Sequence, residues 1–279
     1  MNIRKAVILA AGLGTRFLPV AKSIPKVMLP VLDTPLIHYA VEEAVASGIE
    51  HVILVVSDNQ KSIANYFQSS KDLEEVLENR KDSRMLDRIN SIPTPEHISY
   101  VYQNKQNGIG DALLCAKDVI GDDPFALIFP DDLIWSNHPI IGSMANLFDT
   151  LKCSVMAVRE VSDDMVPNLG IVDARLVDND LYEIHEMVEK PRLVDAPSNL
   201  SIVGRYVLSP EIFDHIQKIP AGVGGEVQLT DALSSSLATE KIYGYRFSGE
   251  HFDAGNPIGL LNASKYAASL RQDSYNHLG

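Results

Sequence analysis

The sequence predicts an α/β protein with a central sheet that is mainly parallel, turns mixed towards its second half, and carries helices on its faces. Three observations lead there. Short, continuously apolar runs alternate with helical patterns. The first run ends in a glycine-rich turn. Beyond about residue 151 the helical patterns thin and strand-like runs succeed one another.

The runs Ala6–Ala10, Val52–Val56, Ser99–Tyr102 and Phe125–Phe129 are apolar or aromatic without strict alternation. A strand covered on both faces reads this way. Between the first two, Leu36, Ile37, Ala40, Val41, Ala44 and Val45 recur at helical spacing. Thr34-Pro35 supplies a hydroxyl cap with proline at the first helical position, and Gly48 a stop. The stretch Asp111–Val119 predicts another helix, with Ala112, Leu113, Ala116 and Val119 inward. Strand and helix in alternation imply right-handed crossovers. The charged stretch Lys71–Ile92, anchored by Leu73, Val76, Leu77, Leu86 and Ile89, predicts one or two surface helices that are either a solvated face or an oligomer contact. Ser154–Val158, Gly170–Asp173 and Ser201–Leu208 predict the later strands, and Ile242–Phe247 another.

A chain of 279 residues with 46% hydrophobic content can bury a sizeable core as one large α/β domain or two smaller ones. The division expected is one half over 1–150, a second over 151–259, and a C-terminal helix and tail over 260–279, all within a single domain. The net charge of −13 argues against nucleic acid as a partner but not against a nucleotide held in a local basic pocket. With two cysteines, Cys115 and Cys153, a disulfide scaffold is excluded and a reducing compartment expected. No apolar run has the length of a membrane span. The expectation is a cytoplasmic protein that is mature from Met1.

Chemistry concentrates first after the opening strand, in Ala10-Ala11-Gly12-Leu13-Gly14-Thr15-Arg16. Small residues let backbone N–H groups approach an anion closely. The dinucleotide fingerprint fails, because Phe17 stands where a third glycine is needed, and the Walker pattern fails as well. What remains is Gly-x-Gly-Thr-Arg with Lys26 ten residues beyond Arg16. A guanidinium fork and an ammonium point charge beside an amide-lined turn suit a polyphosphate. Asp131 and Asp132 follow the strand ending at Phe129, at the carboxyl end where α/β sheets hold ligands. Gln103 ends another strand and can both donate to and accept from a base edge.

Ala11–Pro19 followed by Ile24-Pro-Lys-Val-Met-Leu-Pro30 resembles the signature of the sugar-1-phosphate nucleotidylyltransferases, and within them the bacterial enzymes that use UTP and glucose 1-phosphate. The resemblance covers nearly the whole chain. It continues through Gln103 and Gly108–Ala112, Phe129-Pro-Asp-Asp132, Val188-Glu-Lys-Pro191, Ser198–Leu208, Gly225–Asp231 and Phe252–Asn256. It implies a Rossmann-like sheet of the nucleotide-diphospho-sugar transferase type with a smaller β-rich sugar-binding part. It implies transfer of uridylyl from UTP to α-D-glucose 1-phosphate, giving UDP-glucose and pyrophosphate, with Mg²⁺ held by Asp131 and Asp253. By the same resemblance Ala11, Gly12, Gln103 and Gly108 line the uracil pocket. Gly14, Thr15 and Asp132 join the nucleotide set. Gly170, Glu189, Lys190 and Glu226 take the sugar side, and Arg16, Lys26 and Lys190 carry the phosphate chemistry. Homodimers or homotetramers are implied too, with the Lys71–Ile92 insert or the helix Leu260–Arg271 as candidate contacts. A thymidylyl or other nucleotidyl transferase, or an inactive regulatory paralogue, stays open at this point. One departure stands out: the family usually has an acid after the signature lysine, and here Val27 occupies that place.

Overall fold

The computed structural model describes residues 3–58, 60–222 and 225–276, with the backbone alone for the last five of these. The first half contributes strands β1 (Lys5–Leu9), β2 (Pro30–Val31), β3 (Thr34–Pro35), β4 (His51–Val56), β5 (His97–Tyr102), β6 (Phe125–Ile128) and β7 (Asp132–Trp135). The second half contributes β8 (Ser154–Glu160), β9 (Gly170–Asp178), β10 (Leu181–Glu189), β11 (Leu200–Leu208), β12 (Ile242–Arg246) and β13 (Glu250–Asp253). The helices up to the midpoint are α1 (Leu36–Ala46), α2 (Lys61–Tyr66), α3 (Lys71–Asn79), α4 (Ser83–Asn90), α5 (Ile109–Leu114), α6 (Lys117–Ile120) and α7 (Ile140–Leu151). Then follow α8 (Ile212–Lys218), α9 (Leu229–Ser236) and α10 (Pro257–Asn276).

A nine-stranded sheet in the order β5-β4-β1-β6-β11-β8-β12-β10-β9 forms the backbone of the molecule. From β5 to β6 every pairing is parallel. At β11 it turns antiparallel, and only β12 on β8 is parallel beyond that point. Strands from before and after residue 150 therefore share one sheet. The alternation of side chains explains why the early strands read as unbroken apolar runs. Ala6 and Ile8, Val52 and Leu54, and Ala126 and Ile128 enter one core, packed against Ile37, Val41, Ile141 and Met144 of α1 and α7. Their neighbours Val7, Ile53, Phe125 and Leu127 enter a second core, with Leu113, Phe213, Ile216 and Leu233 of the helices on the other face.

The predicted strands lie within two residues of their observed bounds in the parallel half. The charged insert is two helices, α3 and α4, with Asp82 capping the second by accepting from the Met85 N–H. Two expectations are corrected. Thr34 is not a helix cap: Thr34 and Pro35 pair with Val31 and Pro30 as a small hairpin, and Pro35 is the extended residue before α1. Tertiary pairing takes the backbone that a cap would have used. The predicted helix Asp111–Val119 is two pieces, α5 and α6. Between them Ala116 N–H donates to Leu113 O at 3.0 Å, a tight i→i−3 bond that re-aims the chain so that Ile120 still enters the core. Strand β10 has no counterpart among the predicted runs, because its polar Glu183, His185 and Glu186 break the apolar pattern. The C-terminal helix begins earlier than predicted, at Pro257, and the last three residues of the tail lie outside the described residues.

Arg205 of β11 is 1% exposed and is the largest fully buried side chain among the described residues. Its Nε donates to Glu43 Oε2 of α1 at 2.9 Å, and its Nη1 to Phe129 O at 2.9 Å. A buried charge survives only when paired. Glu43→Ala should therefore lower stability by about 3 kcal/mol or more, since it strands the guanidinium. Glu43→Leu combined with Arg205→Met should regain most of that loss in denaturant unfolding.

Candidate active site

The site lies where the parallel half of the sheet meets the antiparallel half. Successive parallel strands depart from β1 in opposite directions, β4 on one side and β6 on the other. Such a switch opens a crevice at the carboxyl ends of the strands. A cavity of about 450 Å³ fills it, lined by Ala11, Gly12, Gly14, Thr15, Lys26, Gln103, Gly108, Asp131 and Glu226 among others.

The loop after β1 provides the floor. Gly14 has φ +64°, and a Cβ there would stand 2.9 Å from Lys26 Cβ. Both the left-handed backbone and the close approach require glycine. Lys26 opens a 3₁₀ turn, Lys26–Met28, and its Nζ lies 2.7 Å from Asp131 Oδ2. Val27 faces the other way and is buried at 1% in the first core with Ala10 and Ile37. An apolar residue there needs no hydrogen-bond partner, so the departure at Val27 leaves Lys26 in place. Arg16 is exposed on the turn Thr15–Phe17, outside the cavity wall, and has no ion pair with any described residue.

The opposite wall is built by two carboxylates on a short antiparallel ladder. In the pairing of β7 with β13, Asp132 is opposite Asp253, and Ala254 N–H donates to Asp131 O at 2.8 Å. The side chains of Asp131 and Asp253 then converge on Gly255. A Cβ on that glycine would stand 2.6 Å from Asp131 Oδ2 and 2.8 Å from Asp253 Oδ1. Asp253 is oriented further by Gly255 N–H on Oδ1, at 2.8 Å, and by Asn256 Nδ2 on Oδ2, at 3.2 Å. Asp253 thus ends a strand of its own, β13.

Asp132 looks away from the cavity. Its Oδ2 accepts from the Gly204 N–H at 2.9 Å and its Oδ1 meets His251 Nε2 at 2.8 Å. Arg159 Nη1 donates to His251 Nδ1 at 2.7 Å, so Nε2 carries the imidazole proton that Asp132 receives. Burial pushes the Asp132 carboxyl up, but the His251 hydrogen bond, the Arg205 charge and the Gly204 amide outweigh it and hold it below the usual carboxylate range. Its place is structural: it ties β7 to β11 and β13 beside Asp131. His251 and Arg159 carry no motif that would have announced this role.

Gln103 and Gly108 form the third wall. Gln103 is 4% exposed, with Nε2 donating to Asp111 Oδ2 at 2.9 Å and to Gly108 O at 3.2 Å. Gly108 has φ +104°, and a Cβ there would meet Val227 O at 2.6 Å. Val227 N–H donates to Asn107 O and Val227 O accepts from Gly110 N–H, pinning the segment of Glu226 to this wall. Glu226 accordingly sits beside Gly108 in the same cavity. Gln106, which reaches Ala11 O at 3.4 Å, lines it too and went unread in the sequence.

Gly170, Glu189 and Lys190 gather separately, at the β9–β10 edge. Gly170 pairs directly with Glu189. A Cβ on it would stand 3.3 Å from Glu189 Oε2 and 3.6 Å from Thr230 Oγ1. Thr230 of α9 donates to Glu189 Oε2 at 2.9 Å, and Lys190 Nζ is 3.1 Å from Oε1. Lys190 is a non-glycine residue at φ +47°, a strained backbone of the sort found where geometry serves a ligand. Between this group and the cavity Tyr206 packs on Phe129 with ring centroids 5.6 Å apart. Burial first, then the charges of Asp132 and Glu189, push its hydroxyl well above the ordinary range.

A parallel sheet with an amide-lined turn, a lysine facing a carboxylate pair and an amide at the far wall define a site for moving a charged phosphate group. The nucleotidyl transferase family model matches residues 5–269, and the chain belongs to that family. It is 42% identical over 264 residues to a UTP–glucose-1-phosphate uridylyltransferase of Staphylococcus saprophyticus, covering 95% of this chain and 92% of the relative. A uridylyltransferase of Staphylococcus epidermidis is 41% identical over 94% of this chain and 91% of its own length. Among solved structures, a UDP-glucose pyrophosphorylase complexed with UDP-glucose is similar at TM-score 0.87 and 39% identity, covering 96% of this chain and 99% of that one. A UTP-bound enzyme of this kind from Acinetobacter baumannii is similar at TM-score 0.88 and 40% identity, over 95% and 93%.

Gly108→Ala should destabilise the protein by about 1–3 kcal/mol, since the added methyl meets backbone and the positive φ strains it. Thermal unfolding checks this. Gly12→Ala, with nothing within 4 Å of the new methyl, should leave the melting temperature nearly unchanged.

Proposed function

We infer that the chain transfers the uridylyl group of UTP to α-D-glucose 1-phosphate, giving UDP-glucose and pyrophosphate. The observation that carries this is the cavity at the sheet's switch point. It joins an amide-lined turn, Lys26 and Asp131 to the amide of Gln103, in a chain 42% identical to a uridylyltransferase.

The phosphate oxygen of glucose 1-phosphate attacks the α-phosphorus of UTP in line. The new O–P bond forms as the bond to the β-phosphate oxygen breaks, and pyrophosphate leaves with the electron pair. The nucleophile is already an anion, so no general base is needed, and the protein contributes position and charge. Ala11, Gly12, Gln103 and Gly108 hold the uracil. Gly14 and Thr15 present backbone N–H groups to the phosphates, and Arg16 takes the β- and γ-phosphates. Lys26 offsets charge near the α-phosphate, and Lys190 meets the incoming sugar phosphate. Glu189, held by Thr230, accepts from glucose hydroxyls, Gly170 leaves room for the ring, and Glu226 is a second residue for the sugar side.

Asp131 and Asp253 suit Mg²⁺, a hard cation that takes one or two carboxylates together with substrate phosphates. Their oxygens converge on Gly255, where any Cβ would intrude. Bound there, the ion would neutralise phosphate charge as it develops. Family members generally use a divalent metal; the choice of Mg²⁺ is part of this proposal.

Among the described residues no helix is long and apolar enough to cross a membrane. A cytoplasmic enzyme that self-associates as a homodimer or homotetramer fits the reading. Leu73 and Val76 of α3 and Ile258 and Leu261 of α10 are exposed apolar residues on the two elements that the sequence marks as contacts. Light scattering coupled to gel filtration tests the association.

The decisive experiment measures pyrophosphate release over a panel of nucleoside triphosphates and sugar 1-phosphates, with and without Mg²⁺. Highest turnover with UTP and glucose 1-phosphate is expected; a preference for dTTP would replace the reading with a thymidylyl one. Lys26→Ala should lower kcat by at least about a hundredfold, as loss of a preorganised charge does. Lys190→Gly should relieve the strained backbone, leaving stability equal or higher, while KM for glucose 1-phosphate rises at least about tenfold through the lost charged contact.

A further inference from the structure

We propose that Asp111 sets base specificity as a positioning residue. By accepting from Gln103 it locks that amide so that only the carbonyl oxygen faces the nucleobase cavity. The proposal rests on the uridylyl reading and extends it to a residue outside the cavity lining.

Gln103 has little freedom. Its own N–H donates to Val56 O at 2.9 Å, continuing the ladder beyond β5, and its side chain is almost fully enclosed. Both hydrogens of Nε2 are spoken for, one by Asp111 Oδ2 at 2.9 Å and one by Gly108 O at 3.2 Å. A carboxylate and a backbone carbonyl are acceptors only. Turning the amide over would bring Oε1 against both oxygens. Two hydrogen bonds would be lost, one of them charge-assisted, and replaced by repulsion. The Gly108 carbonyl is held in place as well, accepting from the Ala112 N–H at 3.1 Å.

The outcome is a side chain that can bond in both senses but is held to one. Oε1 is the group left for a ligand on a residue that lines the cavity. Uracil carries N–H at N3, and cytosine, nearly the same size and shape, carries a lone pair there. Against a fixed acceptor, uracil gains a hydrogen bond and cytosine meets a second acceptor. A site built this way rejects the wrong partner strongly, because its own polar group is left unpaired. Asp111 is the only one of the two anchors that a side-chain substitution can convert into a donor. An asparagine in its place could turn its NH₂ towards Oε1 and allow the flipped amide.

The test compares kcat/KM for UTP and CTP with glucose 1-phosphate in the wild type, Asp111→Asn and Asp111→Ala. CTP inhibition of UTP turnover serves as a second readout. The UTP-to-CTP ratio should fall at least about tenfold in Asp111→Asn, mostly through KM. It should fall less in Asp111→Ala, where Gly108 O still holds one hydrogen. A purely structural role would weaken both nucleotides together and leave the ratio unmoved. An unchanged ratio in a variant that melts near the wild type overturns the proposal, and if Asp111→Asn does not fold, Asp111→Ala decides by the same measure. A wild type that is active on UTP with unchanged variant ratios sinks only the role of Asp111. A wild type that makes no UDP-glucose sinks the uridylyl reading and this proposal with it.

Discussion

The pairing of two four-residue strands, β7 and β13, is the constraint on which the site depends. These strands lie outside the main sheet and are joined to it through Asp132. That carboxylate is spent entirely on structure, receiving the Gly204 amide of β11 and the His251 imidazole of β13. With Asp132 so engaged, the residue before it, Asp131, turns the other way, towards Lys26 and Gly255. Adjacent acids thus serve opposite ends, one holding three strands together and the other facing the cavity. The register that sets Asp253 opposite Asp132 brings the second carboxylate to the same glycine.

Close packing of backbone shapes the remaining walls. Gly14 lets the loop after β1 press on Lys26, Gly108 lets the wall of Gln103 press on Val227, and Gly255 clears the space between two acids. Gly204 plays the same part inside the sheet, where a Cβ would strike Phe129 and Asp132. It lies where the β11–β8 register shifts, between Val203 and Tyr206. That irregularity is how a strand departs from regular pairing to serve a neighbouring site. At Lys190 the chain accepts a left-handed backbone without glycine, and the side chain kept there is a cation.

The two groups of polar residues are separate walls, with the tilted ring pair Phe129 and Tyr206 between them. On one side lie the loop, Lys26, the amide of Gln103 and the acids. On the other lie Gly170, Glu189, Thr230 and Lys190.

The amino-acid sequence by itself determined the parallel half of the sheet, because strands buried on both faces must be apolar at every position. It also determined the loop Gly12–Arg16, Lys26 and the acid at Asp131, since glycine spacing and charge leave a local signature. It under-read β10, whose exposed face is charged, and the hairpin at Thr34, where long-range pairing overrides a local cap. Tertiary structure alone decided that Asp132 bonds to Gly204 and His251 while Asp131 faces Lys26 and Gly255, that Gln103 is buried and held by Asp111, and that Asp253 reaches Gly255. The placing of Asp132 beside His251 and opposite Asp253 is a matter of strand register between residues more than a hundred positions apart, and such register leaves no trace in local composition.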